Sequence, residues 1–145
     1  KKKKSDYNKG FITHDVAKYI CKFYKDVPVF VDTKKKDLKC FSNCFIKINN
    51  IEYELLEDYN KNCELIVTLG GEGAIYKDQI YKTKKVEVYD VCGAGDVFLS
   101  ALVYKFAQNR NIKSAIHTAN KLASYTVTKL GSYVLTKEDI QQLEK

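Results

Sequence analysis

Asp90-Val91-Cys92-Gly93-Ala94-Gly95-Asp96-Val97-Phe98 is a glycine-rich turn between two aspartates, and it runs directly into the apolar segment Val97-Phe98-Leu99-Ser100-Ala101-Leu102-Val103. Gly93, Ala94 and Gly95 are small enough to let backbone N–H groups approach an anion closely. The apolar segment reads as a helix. A helix start leaves several N–H groups without carbonyl partners and carries partial positive charge, which attracts phosphate. Asp96 then stands at the helix start beside the anion, where a carboxylate can accept the proton of an attacking hydroxyl. Taken alone, the four residues Gly93-Ala94-Gly95-Asp96 favour the plainer reading, a tight turn with Asp96 capping a helix.

The match is longer than four residues. Asp90 to Val103 has the pattern D-V-x-G-A-G-D-x-x-x-S-A-L-V, which resembles the second signature of the PfkB, or ribokinase-like, carbohydrate kinases at every constrained position. The resemblance implies that Asp96 is the catalytic base and that Gly93, Ala94 and Gly95 form the anion hole for the transferred phosphoryl group.

Other stretches acquire meaning beside that signature. Asn49-Asn50-Ile51-Glu52 is by itself an ordinary helix start, since Asn caps and Glu favours the dipole. It resembles the family's N-x-x-E motif, which implies that Asn49 and Glu52 help to place Mg²⁺ and phosphate through ordered water. Thr68-Leu69-Gly70-Gly71-Glu72-Gly73 resembles the T-L-G-x-x-G element that lines nucleotide phosphates, which implies nucleotide contacts at Thr68, Gly70 and Gly73. Asn120 matches the Asn of an A-N-x-x-A pattern that edges the adenine pocket. The implied cofactors are ATP and Mg²⁺.

Within the family, the ends of the chain resemble the heptose-7-phosphate kinase branch. Ser5-Asp6-Tyr7-Asn8-Lys9-Gly10 with Thr13 is similar to its S-D-Y-x-K-G-x-x-T, Val31-Asp32-Thr33-Lys34 to its V-D-P-K, and Ala119–Ala123 with Lys129–Ser132 to its A-N-x-A-A…K-x-G-T. The resemblance implies that Asp6 and Lys9 lie near a sugar-phosphate site, although a solvated turn is an equal reading of those two residues. The expected fold is a three-layer α/β/α sandwich with a mainly parallel sheet, a single ribokinase-like domain over residues 1–145. Its amino-terminal part and lid are expected to be missing, because the first signature of the family is absent.

Composition narrows the classes without choosing among them. The 145 residues suffice for one core, and no methionine is present, so the chain reads as a fragment, a processed product or a truncated form. The charge of +7 suits anionic small substrates. The lysine runs are short and lack interleaved aromatics, so no nucleic-acid partner is expected. No segment has the length or apolarity of a membrane span, so no membrane partner is expected and a cytoplasmic protein is. The five scattered cysteines, with Cys40 and Cys44 the only close pair, read as reduced thiols. The expected partners are a sugar or sugar phosphate, with a homodimer or a complementing amino-terminal half as the macromolecular candidates. The rival to a sugar kinase is a non-catalytic nucleotide-binding remnant, or one subunit of a split kinase.

The remaining pattern alternates strands and helices, which implies parallel βαβ units with ligands at the carboxyl ends of strands. Helices are expected from His14 to about Lys25 with Val16, Ala17, Ile20, Cys21 and Tyr24 on one face, from Ile51 to Tyr59, over 95–108 and 113–129, and after Thr136. Strands are expected over 28–32, 44–48, 65–69 and 86–88, with a hairpin over 74–81. Asp32, Asn49, Thr68 and Asp90 then fall at or just past strand ends.

Overall fold

The computed structural model describes residues 10–144 with their side chains, Glu144 excepted, and residues 2–6 as backbone. In chain order the elements are β1 (Lys2–Asp6), α1 (His14–Phe23), β2 (Val29–Thr33), β3 (Asp37–Leu38), β4 (Phe45–Asn49), α2 (Asn50–Glu54), β5 (Asp58–Tyr59), β6 (Glu64–Thr68), β7 (Ala74–Tyr76), β8 (Gln79–Tyr81), α3 (Ala94–Asn109), α4 (Ile112–Thr126) and α5 (Lys137–Glu144). A single 3₁₀ turn, Gly70–Glu72, lies between β6 and β7. The described chain forms two compact units, one of residues 1–68 and 75–79, the other of 69–74 and 80–145.

In the first unit the strands run in the order β1-β2-β4-β6. The pairs β1–β2, β2–β4 and β4–β6 are all parallel. Parallel strands covered on both faces read as continuous apolar runs rather than as alternation. Val29-Phe30-Val31 and Ile46, Ile48 and Ile66 are accordingly buried, and the rings of Phe30 and Phe45 stack at 4.8 Å. Lys2–Asp6, read from sequence as lysines and a turn, is a strand paired with β2, because backbone pairing needs no apolar side chains.

α1 begins where expected, with the Thr13 hydroxyl accepting from Val16 N at 3.2 Å. Its buried strip is narrower than expected. Ala17 and Cys21 are buried, whereas Val16 is 39% exposed. α2 is half its expected length. It stops at Glu54 because Glu57 N donates to Lys36 O at 2.9 Å and Asp58 and Tyr59 pair with Asp37 and Leu38 in a second, two-stranded sheet. The hairpin closes on Lys77 and Asp78, both with positive φ (48° and 59°), which suits a two-residue hairpin turn.

In the second unit, α3 and α4 pack together. Leu99, Leu102, Ile116 and Leu122 are fully buried, and Ala101, Ala115 and Ala119 keep the side chains small at the core. The expected strand over 86–88 does not form. Its alternation finds no neighbouring strand, and the backbone that follows turns to a helix end, with Tyr89 N and Asp90 N both donating to Val127 O.

α5 is held by one carboxylate. Asp139 accepts from Thr136 N, from the Thr136 hydroxyl and from the hydroxyls of Tyr125 and Tyr133, each at 2.9 Å. The Thr136 backbone donor is the main reason its carboxyl is drawn down to about 2, with the tyrosine hydroxyls adding to it. A depressed carboxylate stabilises the fold above its unfolded value of about 3.9, and that contribution is lost as pH falls through the folded value. The protection of the α5 amides, measured as hydrogen exchange relative to the intrinsic rate at the same pH, is therefore expected to hold at pH 5 and to fall toward pH 2. Asp139→Asn should make exchange fast throughout, and an unchanged profile in that variant would remove the carboxylate from the account.

Candidate active site

The turn at 90–96 is shaped by its own residues. Cys92 N donates to Asp90 Oδ1 at 2.8 Å, so the first aspartate folds the chain back on itself. Gly93 follows in the left-handed region, at φ 78° and ψ −4°, and caps α3 with no side-chain acceptor. Its carbonyl accepts from Val97 N at 2.9 Å. A glycine cap leaves the first-turn N–H groups without the hydroxyl or carboxylate that usually covers them. Open space surrounds the position where a Gly93 Cβ would stand. Asp96 is exposed in the first turn of α3, and its carbonyl accepts from the Ser100 hydroxyl at 2.7 Å. Chemically, the turn can receive an anion on backbone donors with a carboxylate alongside. Asp90 sits in this turn and not past a strand, since no strand precedes it.

The second glycine loop is in the same unit from Leu69 to Ala74. Leu69 N donates to Gly73 O at 2.8 Å, and Gly73 N to Gly70 O at 3.2 Å. Gly70 and Gly71 are exposed with open space where a Cβ would be, whereas a Cβ on Gly73, at φ 105°, would meet the Tyr81 carbonyl and stand 2.9 Å from Thr83 N. That same carbonyl accepts from Asn120 Nδ2 at 2.6 Å. Asn120 is only 5% exposed, and its own carbonyl accepts from the Thr83 hydroxyl, which also bonds Ser124. The structure therefore joins Gly73 and Asn120, two residues singled out separately in the sequence, through Tyr81.

The first unit carries the other group of residues. Asn49 and Glu52 form a reciprocal capping box: Asn49 Oδ1 accepts from Glu52 N and Glu52 Oε2 from Asn49 N, both at 2.8 Å. Asn49 is in register with Thr68 on the neighbouring strand, and the Thr68 hydroxyl donates to Ile48 O. One strand further, Asp32 is in register with Lys47, and Lys47 Nζ meets Asp32 Oδ2 at 3.0 Å. Asp32, Asn49 and Thr68 thus lie at or next to the carboxyl ends of β2, β4 and β6, with Lys47 at the middle of β4. Lys47 was not anticipated. Its signal was a lysine inside the apolar run Phe45-Ile46-Lys47-Ile48, where a charge, 7% exposed in the structure, requires a partner.

Glu52 leaves one carboxylate oxygen beyond its bond to Asn49, and Asn49 leaves its amide nitrogen. Among the described residues, no cluster of three or more His, Cys, Asp or Glu side chains could hold a metal. One such carboxylate fits Mg²⁺, which retains several waters and draws further oxygens from phosphates. Asp6 is described only as the backbone end of β1, and Lys9 lies outside the described residues. No helix among the described residues is long and apolar enough to cross a membrane.

Known proteins resemble this chain in sequence and in fold. Residues 46–139 match the family described as pfkB family carbohydrate kinase. The chain is 36% identical over 162 residues to Bifunctional protein HldE of a Nitratiruptor species, covering 97% of this chain and 35% of that protein. It is 33% identical to Bifunctional protein HldE of Campylobacter concisus, covering 96% and 34% respectively. The chain therefore spans about a third of the length of the curated relatives it matches. Among solved structures, a mutant of Phosphofructokinase-2 from Escherichia coli superposes with a TM-score of 0.78 at 17% identity, over 97% of this chain and 54% of that one. Ribokinase from Thermotoga maritima superposes with a TM-score of 0.69 at 18% identity, over 98% and 55%. The fold is thus ribokinase-like.

Proposed function

The chain belongs to the pfkB family of carbohydrate kinases, and on that premise we propose that it supplies the nucleotide-binding and catalytic portion of an ATP-dependent sugar kinase. The observation that carries this reading is the glycine-capped start of α3, with Gly93 left-handed and making no side-chain cap hydrogen bond, and Asp96 in the first turn. In the proposed reaction the terminal phosphoryl group of ATP passes to a sugar hydroxyl. Asp96 accepts the hydroxyl proton, and the amides of the Gly93–Gly95 turn stabilise charge developing on the phosphoryl oxygens. Thr68, Gly70 and Gly73 line the nucleotide phosphates, and Asn120 braces that loop through the Tyr81 carbonyl at the adenine end. Glu52 and Asn49 would hold Mg²⁺ through water, and the ion when bound would supply neutralisation of triphosphate charge.

The acceptor we propose is heptose 7-phosphate. The likeness of the chain to the bifunctional HldE proteins supports this, as does the order of the motifs around Asp6, Lys9 and Asp32. Asp6 and Lys9 are assigned to the sugar-phosphate end, and the cytoplasm, where ATP is available, is the proposed site of action.

The test is ADP release by the 145-residue chain with Mg²⁺ and a panel of free and phosphorylated sugars. Turnover that depends on the sugar, and is greatest with heptose 7-phosphate, is the expected result. Mg²⁺-dependent ATP binding without turnover would favour the rival reading, a half-site completed by another segment or a second subunit. The absence of nucleotide binding would overturn both.

A further inference from the structure

Four of the five cysteines, Cys21, Cys40, Cys44 and Cys63, are buried, and all four belong to the first unit. Two of them are brought together by strand register. Phe45 pairs with Glu64 across β4 and β6, and Glu64 N donates to Cys44 O at 2.9 Å. Cys44 and Cys63, each one residue earlier, therefore stand side by side where the two strands begin. Their sulfurs are 3.6 Å apart. Neighbouring strands lie about 4.8 Å apart, inside the Cα separation of roughly 4.4–6.8 Å that a disulfide requires. Both residues follow turns, Asn43 at φ 50° and the Asn60 turn that receives Cys63 N at 2.9 Å. Closing the remaining gap thus needs side-chain rotation and slight turn adjustment, not a change of register.

The surroundings favour reaction at one sulfur of the pair. Either sulfur of the 3.6 Å pair can donate to the other. Hydrogen bonding to Cys21 and to Cys63, and then burial, push the Cys44 thiol up. Hydrogen bonding to Cys44 draws the Cys63 thiol down against the effect of burial, and draws Cys21 down to about 6.

We propose that Cys44 and Cys63 are an oxidation-sensitive dithiol that closes to a disulfide within the folded protein on exposure to a peroxide. The Cys63 thiolate attacks one peroxide oxygen, the O–O bond breaks, and hydroxide leaves, giving a sulfenic acid. The Cys44 sulfur then attacks the sulfenic sulfur, the S–O bond breaks, and the departing hydroxide takes the Cys44 proton. Two thiols lose two electrons and two protons, and hydrogen peroxide becomes two waters. The reaction is independent of the kinase reading, because neither sulfur belongs to the proposed site.

The test uses the folded chain carrying Cys92→Ser, which removes the exposed thiol, treated with stoichiometric hydrogen peroxide and analysed by intact and peptide mass spectrometry. The expected result is loss of two hydrogens, a Cys44–Cys63 cross-linked peptide, and full reversal by dithiothreitol. Cys63→Ala in that background should abolish the cross-link. Oxygen added to either cysteine without a cross-link, a Cys21–Cys44 bond instead, or a cross-link formed only in denaturant would each overturn the proposal. None of these readouts requires kinase activity, so failure here and failure of the proposed function are separable.

Discussion

Asp96→Asn is expected to lower sugar-dependent turnover by about 10²–10⁴-fold, the range that positioned acid–base groups contribute. That corresponds to about 3–5 kcal/mol of barrier. The amide has nearly the shape of the carboxylate and keeps its place in the first turn of α3, but it cannot take a proton from the acceptor hydroxyl. ATP affinity should stay within a few-fold, since the backbone donors of the Gly93–Gly95 turn are untouched. Removing one negative charge from a helix start costs about 0.3–1 kcal/mol of stability, too little to unfold the chain. Paired measurements of ADP release and equilibrium nucleotide binding separate these effects. Turnover at the wild-type level in the variant would remove Asp96 from the role of base.

Gly73→Ala is expected to be the most disruptive single-methyl change in the nucleotide loop. A Cβ there would collide with the Tyr81 carbonyl and crowd Thr83 N at 2.9 Å, and the backbone sits at φ 105°. With ψ −130° this is a region that only glycine occupies readily. Strain and overpacking together amount to about 3 kcal/mol or more. Relief would push the Tyr81 carbonyl away from Asn120 Nδ2, so nucleotide affinity should fall along with stability. Gly71→Ala is the control, because that residue has open space for a Cβ and no positive φ. It should change stability by about 0.5 kcal/mol or less. Urea unfolding of both variants tests the contrast, and equal midpoints would show that the loop does not depend on the Gly73–Tyr81 contact.

Much of the candidate site was legible because its geometry is local. The Asp90 turn, the left-handed Gly93, the Asn49–Glu52 capping box and the Thr136 cap each depend on residues within about four positions of one another, so residue type and spacing carry them. The alternation of β2, β4 and β6 with helices was legible for the same reason, as apolar runs between turn residues. Errors arose where a segment's partner is distant in the chain. Residues 86–88 alternate like a strand but have no strand beside them. Residues 55–59 look helical, yet Asp58 and Tyr59 pair with Asp37 and Leu38.

By itself the sequence determined the ribokinase-like class and the glycine-capped turn before α3. Only the tertiary structure joined Lys47 to Asp32, Gly73 to Asn120 through Tyr81, and Cys44 to Cys63. Those pairs lie 15, 47 and 19 positions apart respectively. Parallel register and loop closure create them, and neither is encoded within any one stretch of chain.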